Sequence, residues 1–177
     1  MSAWTVIAHT ELTSGSAANI TFMSVGDIPS SYTDLVLYVS SRNVNTSTSG
    51  IRIRFNDDTD TYTAKTLYGS GSTATSESLT NSASFYGVQG SYTASTFGNA
   101  MVYIPNYRSS NAKSFFADAV AENNATSTDL SLFANSWDGT SPITKIVITV
   151  SSGDLAQYTS ATLYGITKGS SGGVTVS

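Results

Sequence analysis

The sequence contains no cysteine, a single histidine and few charged residues. Without cysteine the chain has no disulfide, no thiol nucleophile and no thiolate ligand for a metal. Charged residues make up 11% of the 177 residues, against about 25% in a typical soluble domain. The 8 basic and 12 acidic side chains give a net charge of −4, which offers no basic surface to a nucleic-acid backbone. We therefore expect neither thiol chemistry nor a nucleic-acid partner.

Long apolar runs are also missing. None approaches the roughly 20 residues of a membrane-spanning helix, so we expect no membrane partner. Residues 1–5 lack the basic and apolar regions of a secretory signal, which predicts synthesis in the cytoplasm without a signal peptide. Proline is rare, whereas hydrophobic residues reach 40%, a composition typical of a folded chain. The length predicts a single domain over residues 1–177.

Short stretches of strand character dominate the sequence. Residues 51–55 alternate between apolar and basic side chains, and residues 35–39 and 143–150 are rich in apolar side chains, as in buried strands. The predicted core includes Leu35, Leu37, Ile53, Phe55, Ile146, Ile148 and Leu163. The Ser- and Gly-rich residues 69–76 are interpreted as a long loop. Roughly 8–10 strands with turns between them predict an all-β fold, an antiparallel, jelly-roll-like β-sandwich with very little helix.

Residues suited to catalysis or metal binding are scarce. His9 is the only candidate base for a Ser–His–Asp system, and no nucleophile-elbow motif accompanies it, so we interpret it as an edge residue. Residues 56–60 suggest either a calcium loop or a turn capped by its own side chains. The glycine and the late glutamate of a calcium loop are missing, which favours the turn. We expect no catalytic residue, cofactor or metal ion.

Aromatic residues and the chain ends are the candidates for binding. Stacking on sugar rings is one role for Tyr86, Tyr92, Trp137 and Tyr158, and a place in the core or in subunit contacts is the other. Apolar side chains near both chain ends suit pairing with a sheet edge. They are Trp4 near the start, and Val174 and Val176, which follow a glycine pair near the end. We expect at least one chain end to contact another subunit or a protein shell, and these three residues are the candidates.

Three segments, taken in order, carry a resemblance to a known group of proteins. They are residues 17–42, with Tyr-Thr-Asp-Leu near their middle, residues 51–62, with Arg-Phe-Asn-Asp-Asp, and residues 160–166. This order resembles small structural proteins of tailed bacteriophages, which are found in phages of marine and freshwater bacteria, cyanobacteria included. Related modules form part of some phage fibres.

The resemblance implies a structural protein of a virion rather than an enzyme. We expect a capsid decoration, or cement, protein on the particle exterior, made in the host cytoplasm. It would be a homotrimer that bridges subunits of the major capsid protein. The alternative is a trimeric fibre, knob or tail-tip module that binds host surface glycan. The resemblance transfers no catalytic residue to this chain.

Overall fold

The computed structural model describes residues 4–22, 28–46, 50–122 and 128–167, which form twelve β-strands and no helix. The strands are β1 Trp4–Glu11, β2 Asn19–Phe22, β3 Asp34–Ser41, β4 Ile51–Phe55, β5 Tyr62–Ser70, β6 Thr73–Thr80, β7 Ser84–Phe85, β8 Gly98–Ile104, β9 Lys113–Glu122, β10 Thr128–Trp137, β11 Ile146–Val150 and β12 Ser160–Ile166. All pairings between these strands are antiparallel and divide them into two sheets. The all-β antiparallel sandwich is therefore confirmed, with more strands than the 8–10 expected.

The strand order is that of a jelly roll with two inserted hairpins. The small sheet has the order β2-β11-β4-β7, and the large sheet begins β1-β12-β3-β8. Along the chain these eight strands lie in the large, small, large, small, small, large, small and large sheet, the order that the two Greek keys of a jelly roll require. The hairpins β5-β6 and β9-β10 lie outside this pattern. They pair with each other through β5 and β10 and extend the large sheet beyond β8 to eight strands.

One hydrophobic core lies between the sheets. All seven residues predicted for it are 1% exposed or less, and they belong to one cluster with residues of both sheets. The ring of Phe55, in the small sheet, packs edge-on against Phe115 and Trp137 of the large sheet, with centroids 5.0 and 5.5 Å apart. Because successive side chains of a strand point to opposite faces, the large sheet keeps its other face outside this core. We call that surface the outer face.

Residues 69–76 are not a long loop, and this prediction is wrong. They contain the end of β5, a tight turn and the start of β6, with Ser70 paired to Thr73. Gly71 is at the first central position with φ +60°, the position that a type II′ hairpin turn reserves for glycine. Strand β6 is an edge strand that is largely exposed on both faces. It therefore needs no apolar alternation, which is why the sequence resembled a loop.

Residues 56–60 form the predicted turn. Asn56 and Asp57 have positive φ values of 53° and 63°, and Asp58 Oδ1 accepts a hydrogen bond from the Asp60 amide at 3.0 Å. Asp58 Oδ2 accepts the hydroxyl of Thr61 and the indole N–H of Trp137. These hydrogen bonds lower the pKa of Asp58 to about 2. The turn is thus tied to the end of β10 by a side chain that the sequence showed only as part of an acidic cluster.

Candidate functional site

The outer face carries most of the exposed apolar side chains. In the described ranges nine large hydrophobic side chains are exposed, and seven of them belong to this face. These seven, which we call the outer belt, are Trp4, Val6, Tyr38, Leu67, Phe116, Leu130 and Leu132. The outer belt reaches from β1 to β5, across seven of the eight strands, and an exposed apolar surface of this extent is typical of a protein–protein contact.

Strand β10 shows how the outer belt arises. Its core-facing positions include Ser131, which is 1% exposed, whereas Leu130 and Leu132 on the other face are 51% and 43% exposed. Leu132 pairs with Leu67 of β5 on one side and with Asp118 of β9 on the other. The strand therefore buries a hydroxyl and exposes two leucines. If only burial in the core mattered, the opposite arrangement would be favoured. This inversion is the sequence signal that could have indicated a binding face.

The other end of the outer belt is aromatic. The ring centroids of Trp4, Tyr38 and Tyr164 are 5.8 to 6.3 Å apart in every pairing. Val36 also points outward, yet it is only 1% exposed, because Tyr164 and Tyr103 lie beside it on the neighbouring strands. Trp4 itself is 42% exposed. The residue expected at a subunit or shell contact therefore lies on the outer face.

A groove of about 740 Å³ adjoins the outer belt near Phe116. Its lining includes Tyr103 of β8, Phe116 of β9, Ala134 of β10 and Lys65 of β5, all strands of the large sheet. The strand registers place Lys65 beside Ala134 and Asp118 beside Leu132. The central part of the outer face thus combines apolar side chains with these two opposite charges.

A smaller pocket of about 270 Å³ lies on the opposite, core-facing side of the large sheet, at the ends of β5 and β10. The residues that matter in its lining are Tyr68, Ser70, Tyr86, Gln89, Tyr92 and Asp129. On β5, Tyr68 lies on the same core-facing side as Tyr62, Ala64 and Thr66. On β10, Asp129 lies on the same core-facing side as Ser131. Both become accessible where the small sheet no longer covers them. We call this site the tyrosine pocket.

Polar and aromatic contacts order the walls of the tyrosine pocket. The Tyr92 hydroxyl donates to Asp129 Oδ2 at 2.7 Å. Burial, together with the neighbouring Asp129, raises the pKa of Tyr92 to about 12. The ring of Tyr86 packs edge-on against Tyr68 and Phe133, with centroids 5.5 and 5.4 Å apart. Burial likewise raises the pKa of Tyr86, so the hydroxyls of Tyr86 and Tyr92 stay neutral at physiological pH.

Arg42 positions the loop that carries Tyr92. Its guanidinium donates to four backbone carbonyls of this loop, those of Gly90, Tyr92, Thr93 and Thr96, at 2.8 to 3.1 Å. The guanidinium thus links carbonyls that belong to no strand. Sequence reasoning missed this role, because nothing in the local pattern around Arg42 marks it.

No protein-family model, curated protein or solved structure matches this chain. Among the described residues, none forms a helix long and apolar enough to span a membrane. Within the same ranges, no group of three or more histidine, aspartate or glutamate side chains is arranged to bind a metal ion.

His9 lies on the edge strand β1, is exposed and hydrogen-bonds Thr162 through Nδ1 at 2.7 Å, as predicted.

The four aromatic residues considered for sugar stacking lie in different environments. Tyr86 and Tyr92 meet in the tyrosine pocket. Trp137 is 2% exposed, with its ring packed on Phe55 and Tyr62, so the suggestion that it stacks on a sugar is wrong. It is the last inward-facing residue of β10, which places it in the core. Tyr158 is 59% exposed, and its amide bonds Leu12 O, near β1 and away from the pocket lining.

Val174 and Val176, the other residues expected at a subunit or shell contact, lie outside the described residues.

Proposed function

We propose that this chain is a structural protein of a tailed-phage virion. In this role it decorates the outside of the capsid as a homotrimer and bridges subunits of the major capsid protein. The resemblance of its sequence segments and the jelly-roll strand order, an arrangement known in viral capsid and lectin domains, support this proposal. Because one fold serves many functions, the observation that carries the proposal is the outer belt.

The outer belt has the dimensions and composition of a docking surface. The outer belt reaches from β1 to β5, and seven strands spaced about 4.8 Å apart make it roughly 29 Å wide. Burial of apolar surface contributes about 25 cal/mol per Å², and Phe116, Leu130 and Leu132 each have between 42% and 51% of their surface to bury. A protein that binds only the assembled shell stabilises it by linkage. Three copies in a trimer add avidity without any new contact.

The proposal is tested with a double variant of the outer belt, Phe116→Ser with Leu132→Ser. Both side chains are exposed, so the changes should leave the core intact. Val44→Ser is the matched control, because Val44 is 46% exposed and does not belong to the outer belt. The three proteins are mixed with purified capsids of the phage whose genome carries this chain, and binding is measured by co-sedimentation.

We expect the wild type and Val44→Ser to bind capsids equally and the double variant to bind about tenfold less tightly or worse, since about 1.4 kcal/mol is a factor of ten. Thermal melting of the variants shows that each is folded. A wild type that does not bind capsids would overturn the proposed function. A folded double variant that binds as the wild type does would remove the outer belt from it.

A further inference from the structure

We propose that the tyrosine pocket is a binding site for a neutral saccharide and accepts one sugar ring. The site is separate from the outer belt, because it lies on the opposite face of the large sheet. The inference therefore does not depend on capsid docking. Nor does it depend on where the protein sits on a virion.

The chemistry of the pocket lining matches a sugar ring. A pyranose has a face of C–H groups and an edge of hydroxyl groups, so its site needs aromatic surface next to hydrogen-bonding groups. Tyr68, Tyr86 and Tyr92 supply the aromatic surface, and Gln89, Ser70 and Asp129 supply donors and acceptors. A carboxylate oxygen has more than one lone pair. Asp129 can therefore accept a sugar hydroxyl while it keeps the hydrogen bond from Tyr92.

The charge and size of the pocket narrow the class of ligand. Among the described residues no lysine or arginine lines it, and Asp129 gives it a negative charge. This charge disfavours phosphate and acidic sugars. The volume of about 270 Å³ is near the lower limit of small-molecule sites, which are usually about 300–1,000 Å³. A neutral hexose, 6-deoxyhexose or N-acetylhexosamine unit, as part of a surface glycan, fits these limits.

Arg42 makes the pocket rigid before a ligand arrives. The four carbonyls that its guanidinium binds keep the backbone of Tyr92 in place. A further hydrogen bond, from the Tyr92 amide to Gln89 O at 3.0 Å, closes the same loop. Preorganised walls reduce the entropy lost on binding. Arg42 is thus a positioning residue, which acts on the ligand through Tyr92.

The test measures binding of simple sugars by saturation-transfer difference NMR. The probes are the methyl glycosides of glucose, galactose, mannose, rhamnose and N-acetylglucosamine, each titrated to about 10 mM, because single sugar units bind weakly. Asp129→Asn and Tyr92→Phe alter the pocket. Asp138→Asn and Tyr158→Phe are their controls, since Asp138 and Tyr158 are exposed residues outside the pocket lining.

We expect at least one glycoside to bind the wild type and both controls. Affinity should fall about tenfold in Asp129→Asn, since hydrogen bonds to a charged group are the stronger ones. Tyr92→Phe should weaken binding as well. Arg42→Met should also weaken binding, although it replaces no residue of the pocket lining, because Arg42 holds the loop of Tyr92. Capsid binding should be normal in Asp129→Asn, which separates this site from the outer belt.

Two outcomes would overturn the inference. One is that no glycoside binds the wild type; if tetramethylammonium binds at the pocket in that case, the three tyrosines beside a carboxylate form a cage for an organic cation. The other is that a glycoside binds the wild type and Asp129→Asn equally. A change in the capsid binding of Asp129→Asn would bear on the proposed function only, and the sugar measurements would still decide this inference.

Discussion

Replacing Tyr62 with phenylalanine should destabilise the sandwich by removing one hydroxyl that joins its two sheets. Tyr62 begins β5 in the large sheet, and its hydroxyl oxygen accepts a hydrogen bond from the backbone N–H of Phe55 in β4 at 2.7 Å. Tyr62 is 1% exposed and Phe55 is 0% exposed. Solvent therefore cannot replace the lost acceptor.

The magnitude follows from the unpaired amide. A buried N–H without an acceptor costs about 1–3 kcal/mol. The phenylalanine ring keeps the packing of Tyr62 against Phe55 and Trp137, whose centroids lie 6.1 and 6.4 Å away, so no large cavity adds to this cost. For a chain of this size each kcal/mol lowers the melting temperature by about 2–4 °C. We therefore expect Tyr62→Phe to melt about 4–8 °C lower for a loss near 2 kcal/mol.

The assay is urea unfolding followed by tryptophan fluorescence, together with a thermal melt. Tyr38→Phe is the control, because Tyr38 is 43% exposed on the outer face and its change should stay within about 0.5 kcal/mol. An unchanged denaturant slope would show that the difference is one of stability. If Tyr62→Phe were as stable as the wild type, or if Tyr38→Phe lost as much, the reasoning from the Phe55 hydrogen bond would be refuted.

Two further predictions concern a buried hydroxyl and an acidic side chain. Thr66 is 3% exposed and its buried Oγ1 has no hydrogen-bond partner in the described structure, so the isosteric Thr66→Val should be more stable by about 1 kcal/mol; a lower urea midpoint would contradict this. Asp58 has its pKa lowered to about 2 from 3.8 by hydrogen bonds from Thr61 and Trp137. Its stabilisation should therefore be complete above about pH 4 and lost as the pH falls through 2. Urea unfolding should show Asp58→Asn less stable than the wild type at neutral pH, with the difference shrinking in acid; a difference that did not change with pH would count against it.

The fold class and the centre of the core followed from the sequence, because each depends on patterns within single strands. In residues 51–55 the alternation of apolar and basic side chains identified the buried face without any knowledge of neighbours, and Ile53 and Phe55 are buried in the structure. The turn at residues 56–60 was recognised in the same way, because Asn and Asp form turns with their own side chains. Strand β6 escaped this reasoning, since a strand exposed on both faces carries no alternation.

The two candidate sites depend on which strands become neighbours, and local patterns do not contain that information. Phe115 and Phe116 are adjacent in the sequence, yet one is 4% and the other 42% exposed, because β9 turns one face to the small sheet and the other to solvent. Tyr68 and Asp129 meet only because β5 pairs with β10 across the two inserted hairpins. The sequence by itself determined a cysteine-free β-sandwich and its core. The tertiary structure decided which side chains remain uncovered and which distant ones line a common pocket, because long-range strand pairing sets those neighbours.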